Sequence, residues 1–307
     1  MRRRTFVVSG LALTILGSLG GATVHAQEAT PAGSLSGAGA SELHITITNT
    51  GFELSASAVP AGRVLLTVEN ATTGTEDTAD ADLVLPPDGV PLSDIEDFFV
   101  AAGSSATPAA EDQAIPSWIY TATWAGGPIV PPGKTVQALV DLTPGTWGVL
   151  NADFGVPQQP TTLTVTAATG GTQATEPTAA VGVSLQEYAF VGLDQTVPAG
   201  PQTWKVTNTG TQPHFMLLEK TPADITMDQM MTILQLPEDA TPPAGFPYTE
   251  SDFDFSIPGL GVLSPGQTSY VTLDLAPGRY VALCFVPDKE TGAPHAMMGM
   301  VQLFTVA

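Results

Sequence analysis

The chain repeats itself, and that repetition limits its possible folds more than any single motif does. Val59-Pro60-Ala61-Gly62 returns as Val197-Pro198-Ala199-Gly200, and each copy leads into a strand-like run ending at an asparagine, Asn70 or Asn208. Pro132-Gly133 returns as Pro265-Gly266, and Leu142-Thr143-Pro144-Gly145 as Leu275-Ala276-Pro277-Gly278, both displaced by 133 residues. One folding unit is therefore present twice, and whatever architecture suits one half must suit the other. A length of 307 residues accommodates two such units.

Within each unit the pattern is that of short strands. Gln202–Val206, Phe215–Leu218, Tyr270–Leu275 and Tyr280–Phe285 are apolar runs bounded by Pro-Gly and Asn-Thr-Gly turns. The expected class is all-β, two tandem sandwiches with one short helix inserted in each. In the first unit Ser93-x-x-Glu96 reads as a capping box ahead of Ile95, Phe98, Phe99 and Ala102, which share a helical face. In the second, Thr226-x-x-Gln229 precedes Met227, Met230, Met231 and Leu234 at the same spacing, which reads as core packing rather than a metal-carrying cluster.

Met1–Arg4 is basic, Phe6 to Val24 is apolar, and Val24-His25-Ala26 has the small residues of a cleavage site. Residues 1–26 are therefore expected to be a signal peptide rather than a membrane anchor, and the mature chain to be exported (periplasmic, cell-surface or extracellular) with no membrane span. Arg3-Arg4-Thr5-Phe6 leaves twin-arginine and general export both open. Residues 27–42 read as a flexible lead, 43–167 as the first domain, 168–180 as a linker and 181–307 as the second domain. Acidic residues number 30 against 9 basic ones, a net charge of −21, and three of the basic residues lie in the leader. Such a surface excludes nucleic acid as a partner. It suits a basic protein partner, or serves solubility alone.

The single cysteine, Cys284, needs a reason in an exported protein, where a free thiol is open to oxidation. It is either buried and inert or held by a metal. The sequence beyond it runs Cys284-Phe-Val-Pro-Asp-Lys-Glu-Thr-Gly-Ala-Pro-His295-Ala-Met-Met-Gly-Met300-Val301, and Asn208-Thr-Gly-Thr-Gln-Pro213-His214 leads into another strand. Two imidazoles, one thiolate and a weak thioether suit copper that changes oxidation state.

These residues resemble the plastocyanin and azurin type of cupredoxin. The resemblance covers about Val181 to Ala307 and is specific at its C-terminal end, where His295 through Val301 match the family's His-x-x-x-Gly-Met-Val pattern. It implies tandem Greek-key β-sandwiches and one mononuclear type 1 copper ion. It further implies His214, Cys284 and His295 as equatorial ligands and Met300 as the axial one. Ten residues separate Cys284 from His295, more than in short-loop members, and the polar Pro287–Gly292 insert is expected to bulge into solvent. Met297 and Met298 are expected to pack, and His44 to sit on a strand surface.

The first unit lacks the ligands. At an offset of 133 Cys284 corresponds to Asn151, His214 corresponds to about Ala81, and Phe154–Thr164 contains neither His nor Met. It is expected to be metal-free, used for structure or for docking. An electron carrier with a redox protein partner near the copper is the leading expectation. A copper carrier and a metal-free binding module remain as alternatives. A copper enzyme is not expected, because Leu283 and Phe285 flank Cys284 where further histidines would be needed.

Overall fold

The computed structural model describes residues 35, 39–75, 77–104, 115–152, 159–168, 175–194, 196–236 and 242–307. The expected leader (1–26) lies outside them, as do 27–34 and 36–38 of the expected lead, 169–174 of the expected linker and the side chain of Ala102; Ser41 and Glu42, read as the end of the lead, already belong to the first strand. Among the described residues no helix is long and apolar enough to cross a membrane.

The first half contributes β1 (Ser41–Thr48), β2 (Gly51–Leu54), β3 (Ala58–Pro60), β4 (Gly62–Asn70), β5 (Ala79–Asp80), β6 (Asp82–Leu85), α1 (Leu92–Ser104), β7 (Thr123–Trp124), β8 (Pro128–Val130), β9 (Thr135–Leu142), β10 (Gly145–Leu150) and β11 (Thr161–Thr166). The second contributes β12 (Val181–Gln186), β13 (Ala189–Val191), β14 (Gly200–Asn208), β15 (His214–Thr221), α2 (Met227–Leu234), β16 (Gly259–Leu263), β17 (Thr268–Leu275), β18 (Gly278–Leu283) and β19 (Val301–Val306). Alternation decides which face is buried. In β1, Leu43, Ile45 and Ile47 point inward while Glu42 and His44 face solvent, which places His44 where it was expected.

The repeat is visible in the turns. Gly133 and Gly266 follow their prolines at φ +69° and +79°, a conformation that costs a side chain dearly and glycine little. Each donates its N–H to the carbonyl of the paired asparagine, Asn70 (2.7 Å) or Asn208 (2.8 Å).

The halves are not the self-contained sandwiches that the linker suggested. One sheet of eight strands, ordered β13-β12-β14-β17-β9-β4-β1-β2, runs through both. At its centre Ala138 pairs antiparallel with Val271, its own repeat equivalent 133 residues on, so a local two-fold axis passes between them. A sheet of six strands, β19-β18-β15-β16-β8-β5, crosses the same boundary through β8 and β16. Among the described residues, the one sheet confined to a single half is β3-β11-β10-β6-β7. The physical reason is edge protection: the edge that each half would expose is completed by the other. Side chains reinforce the seam. Ser264 Oγ accepts from Trp124 N (2.8 Å) and donates to Ala122 O (3.0 Å), and Asp82 Oδ1 accepts from Val262 N (2.9 Å). Burial, and then the nearby Asp80, raise the Asp82 carboxyl well above the usual range.

Both inserted helices are present. Thr226 and Gln229 form the expected capping box, and Met230 and Leu234 are buried, but Met227 is exposed. The first helix begins one residue ahead of Ser93, so that serine lies inside it rather than capping it; Ile95, Phe98 and Phe99 are buried as expected.

A shared core and a shared sheet make the two halves one cooperative unit. Urea unfolding followed by tryptophan fluorescence and by circular dichroism should give coincident single transitions. Ser264→Ala should lower the stability of the whole chain by about 1–3 kcal/mol, because it strands a buried donor and a buried acceptor. Two separated transitions would contradict the shared seam.

Candidate metal centre

The turn ahead of β15 is closed by one side chain. Asn208 Nδ2 donates to Gln212 O and Leu263 O, both at 2.8 Å, and Oδ1 accepts from Gly210 N at 2.9 Å. Pro213 follows, and His214 is delivered as the first residue of the strand. Cys284 stands just beyond the end of β18, and His295 opens a short 3-10 turn, His295–Met298, closed by Gly299 at φ +113°. Backbone bonds lock these pieces together: Ala296 N to Cys284 O (2.7 Å), His295 N to Val286 O (2.9 Å), Met300 N to His295 O (3.0 Å) and Cys284 N to Met300 O (3.3 Å).

The outcome is a compact donor set. His214 Nδ1 and His295 Nδ1 lie 3.0 Å apart, and Cys284 Sγ lies 3.9 Å from the first and 3.7 Å from the second. A circle through the three atoms has a radius of about 2.1 Å, the length of a first-row metal bond to imidazole nitrogen (~2.0–2.1 Å). The donor atoms thus fit one metal ion without rearrangement. His214, Cys284, His295 and Met300 are each 0 % exposed. Met300 packs in the same core as Cys284, and its backbone bonds join it to both Cys284 and His295. Met297 and Met298 are half-buried, and Met297 packs against the neighbouring core.

Burial also sets the charges. It pushes the Cys284 thiol up to about 12, against the opposing pull of N–H donors from Phe215 and Val286. It pushes His214 down to about 4, helped by His295, and lowers His295 too. Without a metal the site therefore holds a thiol and two neutral imidazoles near pH 7.

The insert between Cys284 and His295 does not bulge away at its start. Pro287 and Asp288 are buried, and only Lys289–Gly292 reaches solvent. Asp288 Oδ1 accepts from Thr291 N (2.8 Å) and Thr291 Oγ1 (2.7 Å). Its Oδ2 accepts from Gln212 Nε2 (2.9 Å) and Tyr188 OH (2.8 Å), and the Gln212 bond, then those of Thr291, hold the carboxyl far below its usual range. Gln212 Oε1 in turn accepts from Lys289 N (2.7 Å). One carboxylate thereby joins the His214 loop, the His295 loop and the β12–β13 hairpin. The first half reaches in as well, with Tyr120 OH donating to Pro287 O at 3.0 Å.

The other half carries the same framework without the donors. Leu150 pairs with Asp82 as Leu283 pairs with Leu217, which makes Asn151 the counterpart of Cys284. Ala79 pairs with Val130 as His214 pairs with Leu263, so the counterpart of His214 is Ala79 and not Ala81; uniform spacing misplaces it by two residues. Asn151 Oδ1 accepts from Asp80 N (3.2 Å), the same bond that Phe215 N makes to Cys284.

Sequence reasoning missed Glu187, Tyr188, Gln212 and Tyr120. None has a local signature, because each acts across 24 residues or more of chain. Asp288 was legible in principle, since Asp-x-x-Thr is a self-closing turn motif.

No protein-family model matches this chain, and no curated protein does. Solved structures similar to it include a reduced auracyanin from the photosynthetic bacterium Roseiflexus castenholzii, 27 % identical over 43 % of this chain and 99 % of that one, with a TM-score of 0.29. Auracyanin B is 20 % identical over 43 % of this chain and 93 % of its own, TM-score 0.27. A multicopper oxidase is 11 % identical over 87 % and 88 %, TM-score 0.23.

The buried imidazoles make the metal-free protein acid-sensitive. An unfolded histidine titrates near 6.5, whereas His214 in the fold titrates at about 4. The unfolded chain therefore takes this proton first. The stability is fully present above pH ~6.5 and declines by about 3 kcal/mol as the pH falls toward 4. Denaturation midpoints of the metal-free protein between pH 7 and 4.5 should fall more steeply than those of His214→Gln. Equal slopes would contradict the assignment.

Proposed function

We propose that this chain is an exported blue copper protein that carries electrons. One mononuclear ion would be held by His214 Nδ1, His295 Nδ1 and Cys284 Sγ, with Met300 as the weak axial donor. The observation that carries the reading is the convergence of two imidazole nitrogens and the sole thiol around one point in a fully buried pocket. That donor set, with the sequence likeness to plastocyanin and azurin, is the one that suits copper changing oxidation state.

Copper supplies a one-electron change of charge. The chain's residues keep that change from moving the structure. The donor atoms already stand at bonding separation, and the loops that carry them are tied by Asn208, Asp288 and four backbone bonds. Phe215 N and Val286 N donate toward Sγ, where they would spread the thiolate's charge. Complete burial favours retention of the metal over its delivery to an acceptor, which sets the copper-carrier alternative second. The acidic surface would be met by a basic redox partner near the site. The first half, with Ala79 and Asn151 in the ligand positions, is read as a metal-free partner that steadies the second through their common sheets.

The test is a copper-loaded sample examined by optical and spin-resonance spectroscopy, with voltammetry of three variants. The parent should be intensely blue when oxidised. Cys284→Ser should lose the colour, because the charge-transfer band needs the thiolate. Met300→Leu should stay coloured with a raised reduction potential, since the thioether helps the oxidised ion more. Asn151→Ala should change neither property. Full colour in Cys284→Ser would refute the site.

A further inference from the structure

The two ligand imidazoles are not equivalent, and the difference comes from Glu187 at the tip of the β12–β13 hairpin. Its Oε1 accepts from Thr211 N, from Thr211 Oγ1 (3.1 Å) and from Gln212 N (2.9 Å), so the carboxylate is fixed independently of any histidine. Burial works against the charge, but these donors outweigh it and hold the carboxyl below its usual range. The same oxygen lies 3.6 Å from His214 Nε2. That is longer than a formed hydrogen bond, and Nε2 has no hydrogen-bond partner among the described residues. The approach depends on Gly210. A Cβ there would stand 2.7 Å and 2.9 Å from the two carboxylate oxygens of Glu187 and 2.9 Å from His214 Nε2, too close to both groups for either to stay in place.

A carboxylate only accepts, so it favours a proton on the nitrogen facing it. A neutral imidazole carries one proton, and a proton on His214 Nε2 leaves its Nδ1 bare. The His214 Nδ1 to His295 Nδ1 contact of 3.0 Å has room for one proton between two neutral rings, and with His214 Nδ1 bare the donor is His295. His295 Nε2 is left bare, which agrees with its surroundings. It is buried with no polar partner, and the ring of Tyr188 packs edge-on against His295 at 5.4 Å.

We propose that Glu187 sets the tautomers of the pair: His214 presents a bare Nδ1 ready for a metal, while His295 holds an Nδ1 proton that must move to its own Nε2 before Nδ1 can bind one. Glu187 is a positioning residue that acts through His214, a carboxylate behind a ligating histidine. Its charge also favours the more highly charged metal ion. This inference rests on the copper reading for its consequence but not for its first test, which needs no metal.

That test is nitrogen-15 NMR of the imidazoles in the metal-free protein near neutral pH. The parent should show His214 protonated at Nε2 and His295 at Nδ1. Glu187→Gln, which removes the charge, and Gly210→Ala, which keeps the charge but forces the carboxylate and the imidazole to shift, should each weaken the His214 preference at least tenfold. In the copper-loaded protein Glu187→Gln should shift the ratio of oxidised to reduced affinity about tenfold toward the reduced ion, a rise of about 59 mV for one electron. A proton on His214 Nδ1 in the parent would overturn the proposal, as would unchanged tautomers in both folded variants. A parent that shows these tautomers but takes up no copper would support the tautomer assignment and overturn the copper reading.

Discussion

Two imidazoles and a thiol packed together in a dry interior are costly to the fold unless something joins them. His214, His295 and Cys284 meet with no exposed surface, and only one proton can lie between the two Nδ1 atoms. The rest of the second half can be understood as the framework that imposes this arrangement. Asn208 closes the turn that delivers His214. Asp288 gathers three segments around the loop that delivers His295. The backbone ladder between Cys284, His295 and Met300 then leaves the donor atoms little freedom to separate. A metal ion held by these three donors would relieve the burial cost: the thiol would give up its proton, and the proton between the rings would move to the far nitrogen of His295.

The first half shows what the same framework does when that demand is removed. It retains the asparagine, the Pro-Gly turn and even the N–H donor aimed at the position of Cys284, but an amide oxygen receives it. Ala79 and Asn151 need no metal to be satisfied. Freed from ligand duty, this half completes two sheets of its neighbour and sends Tyr120 to the Pro287 carbonyl beside the site. The continuity of those sheets makes the ligand loops part of a unit larger than one sandwich.

Much of this was legible in the sequence, for physical reasons. Strand alternation and Pro-Gly turns are local, so the β character, the duplication and the two helices could be read from short windows. The three donors stood out because the chain has so few residues of their kinds. The merged sheets were not legible, since edge pairing between halves leaves no mark on either edge beyond ordinary alternation. Register was only partly so: turn motifs align Asn151 with Cys284, but the segment before β15 differs in length from its counterpart, and Ala79 rather than Ala81 takes the place of His214. Glu187 and Tyr188 escaped notice because they act through space, from a hairpin tip distant in sequence.

The central claim is that His214, His295 and Cys284 form one preformed site for one copper ion. X-ray absorption at the copper edge tests it most directly, comparing the oxidised and reduced protein. The account predicts one copper per chain, with two imidazole nitrogens and one short thiolate sulfur, and nearly the same shells in both states. A copper environment without sulfur, or one whose coordination number changes on reduction, would contradict it.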